Sequence, residues 1–273
     1  MHDIGFVIAG FAVGLIVGLT GVGGGSLMTP ILIFFFGVKP YMAVGTDLLF
    51  AAFTKAGGTI SLMRQRLVPW RVVGQLCAGS LPASFATLYA LHELGAASAA
   101  VQKLMTTTLG CALLLTAGAT LFKAIRMRKP PQRVMDSQGQ LVAAGGGEPA
   151  DAMRARHWSL PVLFGALIGT LVTITSVGAG AIGVTVLLVL FPLLPLPRII
   201  AADIAYAVPL TLVAGLGHAS LGSVDWELLL KLLAGSLPGI WIGAQLIHKT
   251  PERLVRSLLA LLLAYAGTKL IAV

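Results

Sequence analysis

Long apolar runs, separated by short connections that carry most of the basic residues, constrain this chain more than any other feature. Stretches such as Tyr41–Met63 and Ala99–Ile125 reach the roughly 20 helical residues that cross a hydrocarbon core. They run through nearly the whole sequence, so none reads as a signal peptide or a lone anchor. Only 11% of the 273 residues are charged and 57% are hydrophobic, whereas a soluble domain has about 25% charged residues. Such a chain lacks the polar residues to cover a water-facing surface. The period-2 alternation of a transmembrane β-barrel is absent. The expected fold class is an all-α polytopic membrane protein.

The formal net charge of +9 would point to nucleic acid in a soluble protein. Here Lys and Arg sit in the connections, where they orient membrane helices. Membrane lipid is therefore an expected partner and nucleic acid is not. Cys77 and Cys111 lie inside apolar segments without a CxxC pattern, as small core residues do.

Punctuation divides the runs into ten helical pieces. Ile4–Val22 and Ser26–Gly37 are separated by the glycine run Gly21–Gly25, and Tyr41–Met63, Trp70–Leu91 and Ala99–Ile125 follow. After a polar stretch come Trp158–Val177, Ala181–Phe191, Ile199–Leu221, Trp226–His248 and Glu252–Ala272. Ala78-Gly79-Ser80-Leu81-Pro82 recurs unchanged as Ala234-Gly235-Ser236-Leu237-Pro238, an offset of 156 residues. Asp47 and Asp203, and Trp70 and Trp226, stand at the same offset. Thr20–Gly25 matches Thr175-Ser176-Val177-Gly178-Ala179-Gly180 with one residue less. Ordered landmarks at one offset indicate an internal duplication. The expected organisation is a first transmembrane repeat (1–125), a flexible cytoplasmic linker (126–157) and a second repeat (158–273).

Basic residues set the orientation. Arg64, Arg66 and Arg71 place one connection in the cytoplasm, and Lys123, Arg126, Arg128, Lys129 and Arg133 place the linker there. Lys249, Arg253 and Arg256 mark the connection before the last helix in the same way. All of them fall on one side only if the second glycine-broken pair, Trp158–Phe191, enters and returns on the same face, and the duplication gives the first pair the same course. Each half then holds a returning hairpin and three crossings, an odd number, which makes the two repeats inverted and both termini external.

The stretch Gly18-Leu19-Thr20-Gly21-Val22-Gly23-Gly24-Gly25-Ser26-Leu27-Met28-Thr29-Pro30, followed by Ala43-Val44-Gly45-Thr46-Asp47 and a basic connection before Trp70, resembles the signature of the sulfite exporter TauE/SafE family of membrane permeases. The second copy, with Asp203, is similar but degenerate. The resemblance covers nearly all of the chain except the linker. It implies a transporter of small anions, sulfite or organosulfonates and in some members other organic acids, often an exporter in a bacterial inner membrane.

The residues give a physical counterpart. A helix that restarts at membrane depth exposes unpaired N–H groups and a positive dipole end, and glycines allow close approach of a ligand. The candidate substrate-binding residues are Thr20, Gly23, Gly24, Gly25, Ser26, Lys55, Thr175, Ser176, Gly178 and Gly180. Tight helix packing through small residues is the alternative for the glycines, and back-bonding to the helix is the alternative for the hydroxyls, Thr29 and Thr185 included. Lys55, deep in its helix, either counters an anion or snorkels to the surface or to an acid. Asp47 and Asp203 are either proton-coupling acids or structural acceptors. His218 has no second ligand at metal spacing and reads as a packed or hydrogen-bonded histidine. No metal or other cofactor and no catalytic grouping is expected. The glycine run lacks a following Gly-Lys-Ser/Thr, so no nucleotide loop is read, and an ion or substrate gradient is the expected driving force.

The expected function is a secondary transporter working by alternating access between the repeats. A passive anion channel and a carboxylate permease are its competitors, and whether copies associate as a homo-oligomer stays open. The topology makes a direct prediction. In a background lacking Cys77 and Cys111, single cysteines at Asp3 and at Val273 should react with an impermeant thiol reagent from outside intact cells. Reaction from the cytoplasmic side alone would refute the inverted arrangement.

Overall fold

The computed structural model describes residues 2–20, 25–126, 133–135, 141–143, 159–178, 180–246 and 252–271. Among these are ten helices: α1 (His2–Thr20), α2 (Gly25–Phe36), α3 (Pro40–Arg64), α4 (Trp70–Leu94), α5 (Ala99–Arg126), α6 (Ser159–Thr175), α7 (Ala181–Leu190), α8 (Leu196–Ser220), α9 (Trp226–Leu246) and α10 (Glu252–Ile271). They coincide with the ten predicted pieces to within a few residues at each end. In the connection predicted to lack a core, β1 (Arg133–Met135) and β2 (Leu141–Ala143) pair antiparallel, Val134 opposite Val142. The rest of that connection lies outside the described residues.

Local chemistry explains several boundaries. Pro40 stands in the first turn of α3 and Pro197 in that of α8, where a missing N–H leaves no bond unmade. Asp225 caps α9, its Oδ1 accepting from the Leu228 N–H at 3.0 Å. The helix exteriors are apolar: Leu163, Leu167, Leu230, Trp241, Leu261 and Tyr265 are all exposed. By length and composition, the Ala99–Leu121 part of α5 and all of α8 are each able to span a membrane.

The two halves are interleaved. Helix α1 packs on α9 and α4 packs on α6, so each seam joins one half to the other, while α3 pairs with α8 and α5 with α10. Glycines make the seams. A Cβ on Gly10 or Gly14 of α1 would fall against the backbone of Leu232 or Ser236, and one on Gly235 of α9 against that of Val7. The other seam repeats this residue for residue, with Gly165 on Leu76, Gly169 on Ser80 and Gly79 on Val162. All six approaches are closer than 3.0 Å, a separation real Cβ atoms do not reach. The repeated Ala-Gly-Ser-Leu-Pro segment is thus a packing surface, of the small-residue kind that lets membrane helices approach closely.

Helices α3 and α8 run antiparallel through the middle, with Gly45 against His218, Leu49 against Gly215 and Gly58 against Ile204. The first broken pair folds back on itself. Phe36 at the end of α2 stacks on Phe6 near the start of α1, ring centroids 4.4 Å apart. In the second half Phe191, 155 residues after Phe36, shares a buried cluster with Leu160 and Phe164 of α6.

The seam predicts a sharp difference between two neighbouring glycines of α4. Gly79→Ala should destabilise the protein by about 1–3 kcal/mol through overpacking. Gly74→Ala, where a Cβ meets nothing within 4 Å, should be neutral or stabilising, because alanine favours helix by about 1 kcal/mol. Thermal unfolding of the purified variants in detergent checks this, and equal behaviour would contradict the packing role.

Candidate functional site

The break between α6 and α7 is built from backbone that suits glycine. Ser176 follows α6 with φ 60°, and Gly178 and Gly180 come next at φ 131° and 140°, values that side chains with a Cβ rarely adopt. Thr175 serves the break directly: its hydroxyl donates to the Leu171 carbonyl at 2.6 Å and accepts the Val177 N–H at 3.1 Å. Gly183 and Val184 return their N–H groups to the carbonyls of Gly178 and Gly180 at 3.1 and 3.0 Å. No side chain caps α7 at Gly180.

The equivalent break in the first half, Gly21–Gly24, lies outside the described residues, and with it the candidates Gly23 and Gly24. Thr20, Gly25 and Ser26 are placed only as members of α1 and α2.

Two buried carboxylates approach the short return helices in different ways. Asp47 of α3 is fully buried and accepts a hydrogen bond from the Thr29 hydroxyl of α2. The Ser176 hydroxyl acts on the same carboxylate, although its Oγ meets no strict hydrogen-bond geometry. Asp203 of α8 instead lies over α7, its Oδ1 filling the space where a Cβ on Gly183 would stand. The hydroxyl of Tyr206, one turn along α8, reaches within 3.3 Å of that same point.

Lys55 of α3 is 8% exposed and interacts electrostatically with both acids, with Asp203 more strongly than with Asp47. It belongs to α3, which packs on α8, so one basic side chain interacts with an acid of each half. Its repeat mate Thr211 is buried and donates to the Ala207 carbonyl at 2.7 Å.

The sequence candidates therefore fall into two groups. Lys55, Asp47, Asp203 and Ser176 are linked electrostatically across two helices and a break, whereas Thr175, Gly178 and Gly180 shape the break itself. Tyr206 and Gly183 sit beside Asp203 without having been singled out in the sequence. The signal for Tyr206 was its departure from its repeat mate, Phe50. His218 is buried, its Nε2–H donating to the Thr173 carbonyl at 2.9 Å. The Thr173 hydroxyl lies 2.7 Å from the Gly169 carbonyl and 2.8 Å from the Ser84 hydroxyl, so it donates to the first and accepts from the second.

A helical fold with an apolar exterior, interleaved repeats and charges buried beside broken helices is the architecture of a membrane transporter. The chain belongs to the family described as Sulfite exporter TauE/SafE, whose sequence model matches residues 6–270. It is 34% identical over 269 residues to Probable membrane transporter protein YjnA of Bacillus subtilis (strain 168), covering 98% of this chain and 100% of that protein. Two further proteins of the same organism are similar over nearly their full lengths. Probable membrane transporter protein YunE is 24% identical, with 99% of this chain and 98% of the relative covered. Probable membrane transporter protein YdhB is 23% identical, with 97% and 98% covered. No solved structure matches the chain.

The Thr29–Asp47 bond carries a stability prediction. Thr29→Val removes the hydroxyl donor from a buried carboxylate and should lower stability by about 1.5–3 kcal/mol, while Thr29→Ser retains the donor and most of the stability. Thermal unfolding in detergent separates the two, and equal losses would assign Thr29 to packing.

Proposed function

We propose that this protein is a secondary transporter, working as an exporter, of small sulfur-containing anions such as sulfite or organosulfonates. Two inverted repeats would alternate access to a site between the broken helix pairs in a cell membrane that the chain crosses several times. The observation that carries the proposal is Lys55: a basic side chain held in the interior at the crossing of the two halves, coupled to an acid of each. An ionisable group at that depth is costly unless it serves a partner or a pathway. The α7 N-terminus adds a positive dipole end on the same side as Asp203.

Packing supports the inverted arrangement. Phe36 returns to Phe6, as a hairpin that enters and leaves on one face requires. Trp70 and Trp226 begin α4 and α9, and both are 57% exposed. Exposed Trp is the side chain favoured at the membrane interface, and in inverted repeats these two mates mark opposite faces. The substrate class rests on the family description and on the chemistry of the groups present, a cation, hydroxyls and helix-start amides, all of which bind oxyanions.

Counterflow tests the proposal. Proteoliposomes loaded with unlabelled sulfite, sulfoacetate, taurine or acetate should accumulate the matching labelled solute transiently and saturably. Flux without saturation or counterflow would favour a passive channel. Exchange confined to acetate would move the substrate class to carboxylates, and no exchange of any anion would defeat the transport assignment.

A further inference from the structure

The two halves differ at one interior position beside the candidate site. Tyr206 of α8 stands 156 residues after Phe50 of α3, and the two are 0% and 1% exposed. The rings occupy equivalent core positions, so the tyrosine adds one hydroxyl to a site that an apolar ring already fills in the other half. That hydroxyl has no hydrogen-bond partner among the described residues. A buried polar group left in this way is unfavourable unless a further group completes it.

Its surroundings indicate what completes it. The phenolic oxygen lies 3.3 Å from the Cβ position of Gly183, the third residue of the ten-residue helix α7. Oδ1 of Asp203 fills that position, and Lys55 couples to Asp203 ahead of Asp47. Phenol, carboxylate and the first turn of a helix therefore converge on one small volume, and the Lys55 ammonium acts on it through Asp203. Three of these four favour an anion. The fourth is itself an anion, supplied by the protein. In the first half the residue aligned with Gly183 is Met28, which is fully buried, so neither the glycine gap nor the phenol has a counterpart there.

We propose that this volume is an oxyanion subsite in which the Tyr206 hydroxyl donates to a substrate oxygen, and in which the Asp203 carboxylate is a tethered place-holder for that anion when the site is empty. A monovalent oxyanion, sulfite-, sulfonate- or carboxylate-like, takes over the positive surroundings that Asp203 holds in its absence. The inference deepens the transport proposal and rests on it. It adds that the two repeat-related acids have different tasks: Asp47 is bonded to α2 through Thr29, while Asp203 competes with the substrate.

Opposite effects of two conservative substitutions test it. The full chain in detergent is titrated with sulfite, sulfoacetate and acetate, and the rise in unfolding temperature with ligand concentration gives an apparent Kd. Tyr206→Phe should weaken binding about tenfold, the effect of losing one hydrogen bond to a charged group. Its ligand-free unfolding temperature should stay close to that of the parent, because phenylalanine is what the first half carries. Asp203→Asn keeps the shape, removes the competing charge and should tighten binding several-fold. A hydroxyl that only packs would alter the ligand-free unfolding temperature and leave Kd alone. Unchanged affinity in Tyr206→Phe, or weaker affinity in Asp203→Asn, overturns the subsite while leaving anion transport standing. If no anion stabilises even the parent protein, the anion proposal fails first and the subsite with it.

Discussion

The contact of glycine with backbone along the α1–α9 and α4–α6 seams is the constraint on which the other features depend. Between helices in lipid, the hydrophobic effect offers little, and association relies on close packing and polar contacts. Each seam joins a helix of one repeat to a helix of the other, so neither repeat completes its packing alone. Binding the outer helices crosswise leaves α3 and α8 facing each other in the middle. These are the helices that carry Asp47, Lys55, Asp203 and Tyr206. The charged interior is thus a consequence of how the exterior helices pack.

On that symmetric scaffold the polar groups are not symmetric. Asp47 reaches its return helix through the Thr29 hydroxyl, whereas Asp203 reaches its own through the gap at Gly183. Lys55 has a threonine as its mate, and Tyr206 a phenylalanine. Each acid nevertheless connects a central helix to the short helix that follows the break in its own half. Movement of α2 or α7 is therefore tied to a carboxylate of a central helix, at the Thr29 hydroxyl in one half and at Gly183 in the other.

The helices were legible because apolar length and basic punctuation act locally, and their ends agree closely with the observed ones. The duplication was legible because identity at a fixed offset needs no structure. What Ala-Gly-Ser-Leu-Pro does was not legible: a glycine that admits a partner's backbone looks the same in sequence as one that bends a chain, and the partner lies about 80 to 230 residues away, as Val162 does from Gly79 and Val7 from Gly235. Lys55 stood out as a charge in an apolar run, but its stronger coupling to Asp203 is a through-space relation between α3 and α8. Tyr206 was hidden for another reason. In a run of apolar residues a tyrosine passes as core, and only comparison with Phe50 at the repeat position shows that one oxygen has been added.

A duplicated transporter has to present one site to two sides of a membrane, and related halves supply two conformations of similar energy for that purpose. Symmetry of packing is useful here, because it keeps the two states balanced. Symmetry of charge is not. Under the transport proposal, a second lysine at Thr211 would add a second cation to the interior and slow release of an anion. Under the same proposal, a single lysine that interacts with an acid of each half already has a carboxylate partner in the empty site, and an entering anion would replace it. The seams preserve the duplication in their packing, and the α3–α8 pair departs from it at Lys55 and Tyr206, where the proposed transport would bind and release its substrate.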